Sequence, residues 1–558
     1  MNILLPLPIG QRAAGESGVV ACSAAHPPAL ARQRRAAWLV ALAVVLLALV
    51  VYTATLHRDV GWADSAELAL QADRLGVTHP PGYPLHTWLG KLTILLFARF
   101  GGRDPARATN FLSSVCTALT AGMLVFLAAR LTGDLLASTA AALLFAFLPP
   151  IWEAAVVTEV YPVGVLCVAL ALVALFHWRE RPTRPRLVAA GLAFGLALGA
   201  YLPNVLLLPG CAVLLVGGAR HGAIRPARLW ARIGAAALYA VLAGALGLSI
   251  LSWSHFRSRS MPPLGTACVP DSLDRFLSFL AGAEYRQTPA LAPVLALGRL
   301  RDLTLTLGRS FLWIGLAVAV VGSVAQWRAD WLAALALLVA FGGEFLFFSL
   351  YAATDYGTMV TVSYLIACLW FACGIASLSR LVLPNPSAVQ LGALRCLLAI
   401  LGAALLVTSA AADLCGLGRP GFGRAQGLGL ASGLALLALS LLLRNAAVVL
   451  WLRRHTLQLT AFALSSGLVV TLLAGQARPR LLRSTNGDVS VFVHLSFDMF
   501  PPDAVVVARW DKLPPLLYYQ RTEGLRPDVT VIEPLADWHP LLEQGDRPVL
   551  ADEVDPAL

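Results

Sequence analysis

AWLVALAVVLLALVVYTATL, residues 37–56, follows directly on Arg32, Arg34 and Arg35 and contains no charged side chain over its 20 residues. At about 1.5 Å of rise per residue, a helix of that length reaches across a hydrocarbon core of roughly 30 Å. The 36 residues before it are long and irregular for a cleavable leader, so 1–36 is read as a cytoplasmic N-terminal segment and the run as an uncleaved first span. Tracts of the same kind recur at 110–131, 134–149, 160–178, 187–203, 204–218, 233–255, 310–327, 331–351, 359–379, 394–412, 425–443 and 457–476. The expected fold is therefore an all-α polytopic membrane protein with about 13 spans between 37 and 476.

Composition agrees: 58% of the chain is hydrophobic, 13% is charged, and the mean hydropathy is +0.73, which excludes a soluble globule. A net charge of +11 could suggest nucleic acid, but the arginines lie in short clusters between apolar tracts, as topology demands. With the N-terminus in the cytoplasm, the clusters at 179–186, 220–232, 328, 380–395 and 444–454 all fall inside. The long loops 57–109 and 256–309 then lie outside, together with the polar segment 477–558. That last segment carries β-branched runs at 505–507 and 529–532 between Pro-rich turns, and is expected to be a small extracytoplasmic α/β cap. Lysine occurs only at Lys91 and Lys512, a bias expected of a GC-rich bacterial genome, and the expected location is a bacterial inner (plasma) membrane. Six of nine cysteines sit in apolar tracts without metal-like spacing and read as small buried hydrophobes. The Gly-rich stretch at 416–430 reads as a flexible loop.

The first outside loop holds the densest chemistry. Asp64 and Glu67, three residues apart, share one helix face, where they can either act or form a capping box. HPPGYP at 79–84 fixes a rigid turn that presents His79 and Tyr83, and the apolar helix after it, 86–100, reads as interfacial. The topology adds Glu153, Glu159 and Tyr161, then Glu284, Tyr285 and Arg286, then Asp355 and Tyr356, at the same side. Ionisable groups at membrane depth are costly, so they face cavities, pair or act. Glu344, inside a span, is expected either to pack against a buried arginine or to have a functional role. No Walker loop, dinucleotide fingerprint, zinc spacing or Ser-His-Asp order is present, which argues against ATP-driven transport.

DSAEL at 64–68, LGVTHPPGYPLHTWLGKL at 75–92 and RATNFLSS at 107–114 resemble the N-terminal signature of a bacterial and animal family of polytopic membrane proteins whose animal members are protein O-mannosyltransferases. The likeness continues in SLDRFLSFLAGAEYR at 272–286, YAATDYGTMVTVSY at 351–364 and the segment 501–532. ARWDKLP at 508–514 stands where relatives often carry a more acidic, Asn-rich turn. The resemblance implies a GT-C helical bundle whose first outside loop, 57–109, holds the catalytic carboxylate. It implies transfer of a sugar, mannose in the leading reading, from a polyprenyl-phosphate donor to Ser or Thr of exported proteins. Asp64 matches the catalytic acidic position, Glu67 its companion, and His79 and Tyr83 the HPPGYP element. Glu159, Tyr161, Tyr285, Arg286 and Asp355 are the further substrate-binding candidates, with His79 and Arg286 facing the leaving phosphate. A divalent metal is a candidate cofactor, because Asp64, Glu67, Glu159 and Asp355 offer hard oxygen ligands. The alternatives are transfer to an envelope glycan or lipid, and a transporter or flippase of lipid-linked sugars.

Overall fold

The computed structural model describes residues 27–102, 104–180, 183–220, 226–264, 269–283, 293–351, 356–381, 467, 487–533 and 547–551. The chain divides into two compact units, one made of Met1–Gly374 with Gly475–Leu558, the other of Ile375–Ala474. Of the second unit, the described residues comprise only the end of one helix and Gly467. The expected spans at 394–412 and 425–443 lie outside the described residues, as does nearly all of 457–476.

The first span shows why lipid is the solvent. Helix α1 (Pro27–Ala54) turns Ala37, Ala41, Val44, Ala48 and Tyr52 inward, while Leu39, Leu42, Leu46 and Val50 stand exposed on the other side. In water that outer stripe would be an aggregation hazard; in a bilayer it meets acyl chains. Small buried residues let α1 lie close on α4 (Pro105–Thr132), with Trp38 edge-on to Phe126 at 4.8 Å. Asp104 caps α4 by accepting the Ala106 N–H at 2.9 Å, Pro105 occupies the first turn where no N–H is needed, and Gly133 ends the helix at φ 69°.

The next elements are α5 (Leu135–Phe147), α6 (Pro149–Val156), α7 (Tyr161–Glu180), α8 (Arg184–Ala200), a 3-10 turn (Leu202–Leu207), α9 (Leu208–Arg220) and α10 (Pro226–Ser258). After them come α11 (Leu273–Leu280), α12 (Pro293–Ser310), α13 (Ile314–Ala329), α14 (Trp331–Leu350), a single turn α15 (Tyr356–Met359) and α16 (Thr361–Leu381). Among the described residues five helices are long and apolar enough to cross a membrane, or up to seven when each bent pair counts as one span. The tract at 134–149 is bent by 60° between α5 and α6, where proline removes a helical N–H at Pro149. The span expected from 310 is also different: α12 runs to Ser310 and meets α13 at 101°, through Leu312 and Trp313 at positive φ. Much of the expected loop 256–309 is therefore helical. Two glycines set the crossing of α13 and α16. A Cβ on Gly322 would lie 1.8 Å from the Trp370 carbonyl oxygen, and one on Gly374 would lie 2.0 Å from that of Val318.

Among the described residues no arginine pairs with Glu344, contrary to one expectation for it. Its carboxylate accepts from the Ser363 N–H and hydroxyl, each at 2.6 Å, which spends it on the start of α16. At the end of the bundle away from the first loop, Arg179 makes a two-pronged contact with Asp330, at 2.5 and 2.7 Å, and Arg130 pairs with Glu180.

The C-terminal segment forms α17 (Asp488–Met499), β1 (Val505–Val507), α18 (Leu513–Thr522), β2 (Thr530–Ile532) and β3 (Val549–Ala551). The strands make a parallel sheet in the order β2-β1-β3, with β1 buried throughout. The two β-branched runs become β1 and β2; β3 has no comparable run in the sequence. Among its described residues, Val489, Val493, Phe497, Leu513 and Leu516 pack in one cluster with Val60, Ala66, Ala69 and Leu70 of the first loop.

Candidate active site

The first loop is held from three sides before any catalytic group is placed. Asn110, in the RATNFLSS stretch, donates from its amide to the carbonyls of His57 and Asp59 at 2.9 and 3.1 Å, and accepts from Thr158 at 2.6 Å. Asp59 accepts the N–H of Val60 at 2.7 Å and of Ser490 at 3.1 Å, and the Tyr519 hydroxyl. Tyr518 donates to Asp104 at 2.9 Å. Burial, and then the neighbouring carboxylates, hold both tyrosine hydroxyls protonated well above their ordinary range, so they remain donors.

Helix α2 (Asp64–Arg74) begins behind Ala63, whose backbone sits at φ 49°, ψ −124°, a conformation that strains a residue with a side chain. The capping-box use of Asp64 does not occur: Ala63 is at the cap position and no side chain caps the helix. Instead Oδ1 of Asp64 accepts the indole N–H of Trp510 at 2.5 Å, and Oδ2 lies 3.8 Å from His79 Nε2. Glu67 is fully buried and gives both oxygens to His79, accepting its backbone N–H at 2.7 Å and meeting its Nδ1 at 2.5 Å. Asp64 is 38% exposed, so of the two carboxylates it is the one that a substrate can reach.

The charge state follows from this arrangement. Burial alone would lower the His79 pKa, but the charges of Glu67 and Asp64, the bond to Glu67, and Glu159 beyond them raise it to about 9. Burial pushes the Glu67 carboxyl up, against the opposing influence of His79. Another histidine of the loop, His86, is buried in α3 (Pro84–Arg99) with no hydrogen-bond partner among the described residues, and burial drops it to about 4. The imidazole beside the two carboxylates is therefore cationic, and that of His86 is neutral.

Aromatic rings flank the imidazole. Tyr83 is edge-on to His79 at 5.3 Å and Trp510 at 5.6 Å; Tyr83 stacks on Tyr201 at 6.5 Å, and Tyr201 meets Tyr161 at 5.4 Å. Gly82, at φ 80°, makes the turn between His79 and Tyr83, and a Cβ there would meet Ser254 Oγ at 2.9 Å and Phe279 at 3.1 Å. Of the expected site residues, Asp64, Glu67, His79, Tyr83, Glu159 and Tyr161 share this neighbourhood. Tyr285, Arg286 and Asp355 lie outside the described residues. The motifs did not single out Trp510, Asp59 or Tyr201; only the likeness of segment 501–532 to the family touched the first of these. Glu67 spends both oxygens on His79, and no three His, Cys, Asp or Glu side chains among the described residues gather into a group that could hold a metal ion.

Below the tyrosines the bundle contains a small apolar cleft, about 20 Å³ of space open to a water-sized sphere, lined by residues that include Val168, Leu172, Phe194, Leu214, Ala340 and Ile366. Val168 lies two helical turns, about 10 Å, along α7 from Tyr161.

This bundle has the GT-C fold of membrane glycosyltransferases. The crystal structure of ArnT from Cupriavidus metallidurans bound to undecaprenyl phosphate matches it with a TM-score of 0.53 at 17% identity, over 91% of this chain and 89% of that one. The apo form of the same protein matches at 0.51 and 18%, with the same coverage. Residues 64–221 match the family model described as the protein O-mannosyl-transferase TMEM260 N-terminal domain. The chain is 38% identical over 130 residues to the protein O-mannosyl-transferase TMEM260 of Mus musculus, and 30% identical over 133 residues to that of Dictyostelium discoideum. These stretches are 23% and 24% of this chain, and 18% and 16% of the two relatives.

Proposed function

We propose that this protein is a membrane glycosyltransferase that moves a sugar, mannose in the leading reading, from a polyprenyl-phosphate carrier to a hydroxyl of an acceptor, Ser or Thr of an exported protein. The observation that carries the proposal is the division of labour at the first loop. Asp64 is a reachable carboxylate with one oxygen fixed and one facing His79, and Glu67 is a buried carboxylate that keeps His79 cationic. The work lies at the extracytoplasmic end of the bundle.

In this mechanism the acceptor oxygen attacks the anomeric carbon while its proton passes to Asp64 Oδ2. The bond from the anomeric carbon to the phosphate oxygen breaks, and its electron pair leaves with the polyprenyl phosphate. Attack and departure on opposite faces invert the anomeric centre. An alcohol is far too weak an acid to ionise beforehand, so the base acts in the transition state, within about 3 Å of the proton it takes. His79 offsets the negative charge that develops on the phosphate, and Tyr83, Tyr161 and Tyr201 form an aromatic wall against which a pyranose can pack. A prenyl chain would lie along the apolar helices below them and widen the small cleft there, with its head near the tyrosines. A lipid-borne donor also accounts for the lack of a nucleotide-binding motif.

The test is transfer by the full-length protein in nanodiscs, supplied with labelled polyprenyl-phosphate mannose, a Ser/Thr-rich peptide and an isolated envelope glycan. Label in the peptide is the expected result. Label in the glycan alone would move the acceptor assignment, and label appearing across the bilayer on unaltered donor would replace the enzyme with a flippase.

A further inference from the structure

We infer that Trp510, on the C-terminal segment, is a positioning residue for the Asp64 base, so that the site is complete only when this segment is docked on the first loop. The inference rests on the reading of Asp64 as the base. Trp510 is 446 positions away from Asp64 in sequence, yet its indole N–H donates to Oδ1 at 2.5 Å and its ring stands edge-on to His79 at 5.6 Å. It therefore touches both partners of the 3.8 Å pair between Asp64 Oδ2 and His79 Nε2.

The chemistry suits the task. A carboxylate base needs one oxygen held and the other open, and it must keep its negative charge without losing its basicity to a fixed cation. An indole is a donor only and cannot take the proton itself. Its bond favours the ionised carboxylate over the acid, and it fixes the rotamer so that Oδ2 turns towards His79 and the space an acceptor would enter. An arginine at this place would also orient Asp64, but it would hold the charge much more strongly.

The fold places Trp510 firmly. It lies just past the carboxyl end of β1, the central strand of the parallel sheet, in the turn that leads to α18. The Ala63 N–H, one residue before Asp64, donates to the Asp511 carbonyl at 3.4 Å. Asp59 accepts from Tyr519 and Ser490, Asp104 accepts from Tyr518, and Leu513, Leu516 and Leu517 pack in the cluster that includes Ala66, Ala69 and Leu70 of α2. The backbone carrying the donor and the helix carrying the acceptor thus share one core.

The experiment compares wild type, Trp510→Phe, Trp510→His and Asp64→Asn as full-length protein in nanodiscs, with transfer from a labelled polyprenyl-phosphate sugar followed against pH. A protein in which 3-benzothienylalanine replaces Trp510 keeps the ring shape and lacks the N–H, and covers the case in which phenylalanine disturbs folding. Loss of the donor is expected to lower kcat about tenfold with little change in the donor KM, as suits a hydrogen bond to a charged group. It should also move the acid limb of the profile upward by about half a unit or more, because the carboxylate loses a bond that favours its ionised form. Trp510→His, which retains a ring N–H, should recover much of both. The inference is overturned if the benzothienyl protein keeps the wild-type kcat and acid limb, or if its losses follow a lowered thermal midpoint while the limb stays still. In either event an inactive Asp64→Asn protein leaves the base assignment intact; an active one removes the base and with it the role of Trp510.

Discussion

Asp64 and Glu67 are chemically similar and three residues apart, yet their surroundings separate their work. Glu67 has no solvent exposure and both its oxygens are engaged by His79, whereas Asp64 is partly open and is held at one oxygen by an indole. His79 mediates between them, and its raised pKa has a definite sign for pH dependence. A histidine raised from 6.5 to about 9 contributes its charge fully below 6.5 and loses it as pH rises through about 9, so both transfer and the histidine's share of stability should decline there. Glu67→Gln removes the charge that does most to raise His79, and the alkaline limb of the activity profile should then fall by at least about one pH unit; an unmoved limb would show that His79 does not set it. Spacing alone brought Asp64 and Glu67 to one helix face, and it left the capping box open. The side-chain partners that decide between these uses, His79 and Trp510, lie 12 and 446 positions from the carboxylates they hold, where no local pattern reaches.

Apolar periodicity and arginine placement gave most of the helices, and the departures have local causes. Pro149 turns an expected single span into a pair bent by 60°, and Leu312 with Trp313 at positive φ turns another into a pair bent by 101°. The β-branched runs at 505–507 and 529–532 became neighbouring strands, but their docking on the first loop was not legible, because it depends on tyrosine hydroxyls finding Asp59 and Asp104 across more than 400 positions. The most direct test of this docking is Tyr519→Phe, which removes the hydroxyl on Asp59. It should cost about 1–3 kcal/mol and lower the thermal midpoint of the purified protein. An unchanged midpoint would mean that the segment is held by apolar packing alone. Gly82→Ala should be harmful for a different reason, since φ is 80° there and the new Cβ would press on Ser254 and Phe279. It is expected to lower kcat together with stability by displacing the turn between His79 and Tyr83, as steady-state kinetics and a melting curve would show.

On the scale of the molecule, a polar site at the end of the bundle lies about two helical turns along α7 from a small apolar cleft, an arrangement that the proposed lipid-linked donor would use. Filling that cleft should separate the two parts: Ala340→Phe is expected to raise KM for a long-chain polyprenyl-phosphate sugar several-fold and to leave a short-chain donor nearly unaffected, measured by initial rates with donors of two lengths. An equal effect on both donors would place the tail elsewhere. The helical-membrane architecture could be read from composition and tract length. The cleft could not, because it arises where α7, α8, α9, α14 and α16 meet, and each contributes only ordinary apolar residues to it. The central claim is that Asp64 is the base of a sugar transfer, and it is tested most directly by comparing Asp64→Asn with wild type in nanodiscs, at equal thermal midpoint and equal donor binding. Asparagine keeps the shape and can still accept the Trp510 N–H, but cannot take the acceptor proton. A loss in kcat of about a hundredfold or more is the expected result; transfer by Asp64→Asn at the wild-type rate would contradict the account.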